Sequence, residues 1–203
     1  MDLERWRQLM KLWGAANHVA VYRELVGSYS EPHRYYHTVD HIVDCLEQFD
    51  QVHVAAESRE EVELALWFHD AIYKPVSSKN EIESAEWAVD FVRSVGAPEA
   101  KCDRVYGHIL ATKHEAQPTD ADSTMLVDID LSILGRAPEA YDRFEENVRK
   151  EYKWVPWSLY RRKRREILSS FLERDNIYFT DHFRDKYEQT ARRNLEKTIK
   201  TLS

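Results

Sequence analysis

Glycine and proline are scarce in this chain, five and six among 203 residues. A sandwich or barrel of many short strands needs a turn every ten residues or so, and too few turn formers are present to supply them. Few, long elements are expected instead. Cysteine is scarcer still: Cys45 and Cys102 lie far apart and form no CxxC pair, which argues against a disulfide framework and against a thiolate zinc site, and favours a reducing compartment. Long apolar runs are missing, so no membrane span is expected, and the opening MDLERWRQLMKLW lacks the unbroken apolar stretch of a signal peptide. Positive charge is not in excess: 29 Lys and Arg against 36 Asp and Glu leave a formal net charge of −7. That argues against a general affinity for nucleic acid or an anionic membrane. The expectation is a cytoplasmic protein with neither partner.

What is present is enough to fold. Hydrophobic residues make up 43% of the chain and aromatics 12%, so a core forms even with 32% charged residues. The length suits one domain over 1–203. Leu3, Trp6, Leu9, Met10, Trp13, Ala16, Ala20 and Val21 recur at helical spacing and predict one amphipathic helix over 3–26. A second helix is expected over about 38–54, with Val39, Ile42, Leu46 and Phe49 on one face, and a short one over 60–70 whose apolar end, LALWFHD, runs into the polar loop AIYKPVSSKN. Further helices are expected from Asn80, as N-cap, to about Val95, and from Pro98 to about Thr112. Others follow over 123–134, stopped by Gly135, and over 138–153, 156–174 and 181–201. The fold class is all-α.

Three features carry chemistry. In RYYHTVDHIVD, His37 and His41 stand four residues apart, which on a helix puts both imidazoles on one face; packing or capping histidines would look the same. His69-Asp70 closes an apolar helix, where a carboxylate is costly to bury without a cation, by several kcal/mol, although a helix-end aspartate facing water satisfies the pattern too. In MLVDIDLSIL, Asp128 and Asp130 point about 200° apart on a helix, so at most one faces a given site easily.

The order His, His-Asp, Asp across all-helical sequence resembles the HD superfamily of metal-dependent phosphohydrolases. The likeness to a bacterial group of small HD phosphohydrolases runs through RYYHTVDHI, WFHDAIY, NEIESA, LATKH and VDIDLSILG. The resemblance implies an HD-domain-like helical bundle with its site core over about 30–135 and helices 138–201 packed on it. It implies His41, His69, Asp70 and Asp130 as metal ligands, Asp130 being preferred to Asp128 because the family's last aspartate sits in a DxDxL-like motif. YHTVDHIVDC is also similar to the YHNxxHAxDV segment of cyclic nucleotide phosphodiesterases, which implies His37 as proton donor to the leaving group, although Thr38 replaces the Asn of that motif.

Two imidazoles and two carboxylates suit Mn, Fe, Ni, Co, Mg or Zn, as one ion or two. Asp70 is expected to orient the metal-activated water. His114, Asp128, Lys74 and Glu81 are further candidates for a second metal or for substrate phosphates. Each also has a bland reading as cap or surface group, and His108 reads as structural. The basic run at 160–166 reads as a solvated face, with a phosphate-rich ligand as the sharper alternative. The function expected is hydrolysis of a phosphate ester or anhydride, with a small phosphorylated substrate and a homodimer allowed. The alternatives are a nucleotide or signal sensor without turnover and a di-iron oxygenase, the latter drawing on His114 and Asp128.

Overall fold

In a computed structural model of the chain, which describes residues 1–15 and 18–203, the described residues form ten α-helices and two short 3-10 turns, with no strand. None of these helices is long and apolar enough to cross a membrane. Two compact units are present, Met1–Val127 and Asp128–Ser203.

The first unit opens with α1 (Leu3–Leu12) and α2 (Val19–Ser28) where the periodicity predicts one helix over 3–26. Asp2 caps α1 by accepting from the Glu4 amide at 2.9 Å. The helix ends because Gly14 turns left-handed at φ 67°, a conformation that costs glycine nothing and ends helices readily. Ala16 of the expected stripe lies outside the described residues. Then come α3 (Val39–Val52), α4 (Arg59–Phe68), α5 (Asn80–Ser94), α6 (Glu99–Ala111) and most of α7 (Ala121–Asp130), close to the expected ranges.

Helix α4 is the axis of this unit. It contacts α1, α3, α5 and α6, and every residue from Glu61 to Phe68 is buried. A helix covered on all sides can be apolar all round, which is what LALWF provides. Its two interior acids are paired: Glu61 accepts two bonds from Arg104 at 2.7 and 2.8 Å, and Glu63 accepts from Arg5 at 2.7 Å. Trp6 of α1 is fully buried and meets Trp67 edge-on with centroids 5.2 Å apart, and Phe91 at 5.8 Å. Such ring pairs add ~0.5–1.5 kcal/mol each beyond area burial.

The second unit holds the 3-10 turn Leu131–Gly135 and helices α8 (Pro138–Glu151), α9 (Trp157–Leu172) and α10 (Asp181–Thr201). The sequence pattern predicts one α-helix over 123–134, whereas the last turns tighten to 3-10 after Asp130 and lie against α10. Asn194 donates to the carbonyls of Leu134 and Arg136 at 2.9 and 3.0 Å, and the Tyr178 hydroxyl donates to Leu131 at 3.0 Å. The basic run is not uniformly solvated. Arg164 turns inward to Glu145, whereas Arg161, Arg162, Lys163 and Arg165 are exposed.

Gly135 packs so closely on α10 that an added Cβ would stand 2.8 Å from the Tyr187 carbonyl oxygen and 2.9 Å from its Cα. Backbone cannot yield as a flexible side chain can. Gly135→Ala is expected to cost about 2–3 kcal/mol, read as a lower midpoint in urea denaturation.

Candidate metal centre

Helix α4 ends at Phe68, which puts His69 and Asp70 at the end of a stretch buried from Glu61 onward. His41 comes from the first turn of α3, with Cys45 one turn further on. The three side chains of His41, Cys45 and His69 are buried, at 5%, 2% and 1% exposure, and their ligand atoms lie within 4.8 Å of one another. Burial of so many donors together requires compensation.

The tautomer of His69 decides what the centre can bind. Its Nδ1 lies 3.0 Å from the Leu66 carbonyl, an acceptor only, so Nδ1 carries the hydrogen and donates it. A neutral His69 therefore turns its Nε2 lone pair toward the centre. That nitrogen faces His41 Nε2 at 3.1 Å and Asp70 Oδ2 at 3.2 Å, and His41 Nε2 is 3.4 Å from the same oxygen. Three groups that can each offer a lone pair thus stand as close together as the ligands of one ion, and a backbone carbonyl behind the ligating imidazole is the usual support of a metal-bound histidine. The donor set fits a divalent ion. Burial pushes the Asp70 carboxyl up, but the positive charge that His69 and His37 carry when protonated, together with contact from His41, outweighs it and holds the carboxyl well below the usual carboxylate range.

Arg34 positions both halves of the centre. Its guanidinium donates to the carbonyls of His37 at 3.1 Å, Asp70 at 2.7 Å and Ala71 at 2.9 Å. It lies between the rings of Tyr29 and Tyr73, 5.1 and 5.4 Å from their centroids. The planar five-donor fork suits this triple clasp where lysine would not. The loop after Asp70 is held from α5: Asn80 accepts from the Lys74 amide at 3.0 Å and donates to its carbonyl at 3.1 Å, and the Ser84 hydroxyl accepts from the Ile72 amide at 3.0 Å. Asn80 is thus a loop clasp. The N-cap of α5 is Lys79.

His37 precedes α3, whose N-cap is Thr38, so it does not share a helical face with His41 as the four-residue spacing predicts. It reaches the centre from the preceding bend, stacked on Tyr73 at 4.2 Å between centroids and edge-on to His41 at 6.0 Å. Glu81, in the first turn of α5, is half-buried. Burial, and then the charge of Asp70, push its carboxyl up, while Lys113 pulls it down. Lys74 forms an exposed ion pair with Glu83. His114 lies beyond the end of α6 in left-handed backbone, φ 57°, a strained setting for a non-glycine residue.

In the second unit, Asp130 is the half-buried last residue of α7. Asp128 is fully buried and both its oxygens are engaged. It accepts from the Phe179 amide at 2.9 Å and from the Thr180 amide and hydroxyl at 2.7 Å each, clasping the entry to α10.

The lack of a CxxC pair argues against a thiolate at a metal site, yet Cys45 lies among the candidate ligands; Arg34 is not singled out by the sequence at all. The His41-x-x-x-Cys45 spacing is a visible signal for the first, since residues four apart share a helix face. For Arg34 no signal exists, because its partners are backbone carbonyls. Compared with family models, with curated proteins and with solved structures, the chain finds no match in any of the three.

Two outcomes follow from the buried groups outside the centre. Asp128→Ala leaves two half-buried amides and a hydroxyl without their acceptor and is expected to cost about 2 kcal/mol, measured by chemical denaturation, with metal content unchanged. His108 is buried against the Ser123 hydroxyl at 2.8 Å. Burial lowers its proton affinity below the ordinary value of 6.5 despite Asp120, Asp122 and Glu61 nearby. The unfolded chain therefore takes up this proton first. The His108 contribution is fully present above about pH 6.5 and is lost as pH falls through the lowered folded value. His108→Gln should flatten that part of the stability–pH curve.

Proposed function

We propose that this chain is a metal-dependent phosphohydrolase of the HD superfamily, acting on a phosphate ester or anhydride of a nucleotide or another small phosphorylated molecule. The observation that carries the reading is the triangle of potential ligand atoms formed by His41 Nε2, His69 Nε2 and Asp70 Oδ2, with sides of 3.1, 3.2 and 3.4 Å. The order of these residues in the sequence, followed by an aspartate on an apolar helix, supports it. His41, His69 and Asp70 would hold the ion, and Asp130 is the further ligand that the superfamily resemblance implies. Asp128, already committed at α10, is left out.

A divalent ion supplies Lewis acidity toward a phosphoryl oxygen and toward the attacking water. Asp70, kept ionised by its histidine neighbours, orients that water with whichever lone pairs it does not give to the ion. His37, its ring held against Tyr73 and its carbonyl held by Arg34, delivers a proton to the leaving oxygen, a role that contributes ~10²–10⁴-fold. Arg34 orders the backbone on either side so that His37 and Asp70 face one centre.

The test is a manganese-supplemented screen of phosphomonoesters, phosphodiesters and nucleotides with the full chain, following release of phosphate or nucleoside. Chelation should abolish turnover and manganese restore it. His69→Ala and Asp70→Ala should each lower turnover by about 100-fold or more, since even outer partners of a metal site account for 10–100-fold. His37→Ala should slow substrates with poor leaving groups most. Turnover unchanged in both His69→Ala and Asp70→Ala would overturn the reading.

A further inference from the structure

Cys45 stands outside the ligand set that the superfamily resemblance implies, yet it shares the centre. We propose that Cys45 is a thiolate ligand, giving the centre a His41, Cys45 and His69 face that takes a thiophilic divalent ion, zinc foremost. The inference rests on the metal-centre part of the functional reading and does not depend on the reaction assigned to it.

Cys45 follows His41 by one turn of α3, so both side chains leave the helix on one side. Its sulfur lies 3.8 Å from each ring nitrogen of His41. Zinc binds imidazole nitrogen at ~2.0–2.1 Å and sulfur at ~2.3 Å, which puts neighbouring ligand atoms of a tetrahedral site ~3.3–3.6 Å apart. The spacings of 3.1 Å between the two imidazoles and 3.8 Å from sulfur to His41 bracket that range. Cys102 provides the contrast within the same unit. It is equally buried, but its sulfur lies 4.0 Å from the Ala97 carbonyl and belongs to no candidate ligand group among the described residues.

The ligands therefore fall into two overlapping sets. Asp70 with the two histidines is a hard to borderline set suited to manganese or magnesium. Cys45 with the same histidines is a softer one, and thiolates select zinc over those ions. On binding, Cys45 loses its thiol proton to solvent and forms one sulfur–metal bond. No electrons change hands.

Cobalt(II) loaded into the metal-free full chain is the direct probe. A sulfur-to-cobalt charge-transfer band in the near ultraviolet is expected in the unaltered chain and in Cys102→Ser, and not in Cys45→Ser or Cys45→Ala. In competition with a chromophoric chelator, zinc affinity should fall about 100-fold in Cys45→Ser, while manganese affinity holds within about threefold. A measurement on the unaltered chain avoids any dependence on variant folding: zinc should slow alkylation of Cys45 and leave Cys102 unaffected. Cobalt bound with ligand-field bands but no charge-transfer band, or equal alkylation of Cys45 with and without zinc, would overturn the thiolate while leaving the metal centre standing. Failure of the unaltered chain to bind cobalt, zinc or manganese would overturn both.

Discussion

Three electron-pair donors, His41 Nε2, His69 Nε2 and Asp70 Oδ2, face one another at the end of a buried helix. Much of the first unit is arranged around that constraint. Burying the carboxylate beside two imidazoles carries a desolvation penalty. The arrangement is tolerable because α4 is clamped on several sides and because the surrounding histidines supply positive charge or a site for a cation. A buried polar cluster of this kind persists only where the packing around it holds it in place. Here the packing is the aromatic nest of Trp6, Trp67, Phe68 and Phe91 together with the paired acids Glu61 and Glu63.

Rigidity is then passed outward by hydrogen bonds to backbone. Arg34 ties the carbonyl of His37 to those of Asp70 and Ala71, so the bend before α3 and the end of α4 move as one. Asn80 and Ser84 fasten the next loop to α5. Side chains that bond backbone in this way place catalytic groups without contributing chemistry of their own. A site held on such supports keeps the sub-ångström tolerance that hydrolytic chemistry needs.

In the second unit a similar economy governs the charged groups. Asp128 is buried, and burial pushes its carboxyl up, while bonds from Phe179 and Thr180 pull it down. Its role is to fasten the start of α10, against which Gly135 is pressed without room for a methyl group. Arg164 is drawn out of an otherwise exposed basic run to meet Glu145. Neither the aspartate nor the arginine differs in the sequence from its neighbours two or three places away.

The sequence by itself determined that the chain is helical, where most helices begin and end, and that His41, His69 and Asp70 are chemically unusual. Periodicity and turn chemistry are local properties, and a charged dipeptide after LALWF is conspicuous in one dimension. Tertiary structure alone decided the rest. It broke the first helix at Gly14, moved His37 off the helix that carries His41, and separated a structural Asp128 from Asp130. It also brought a thiol to the centre and buried Arg34 among carbonyls. Each of these depends on which groups meet across tens of residues. A hydrogen bond to a distant backbone atom, or the approach of two side chains from different helices, leaves no trace in the spacing of side chains along the chain.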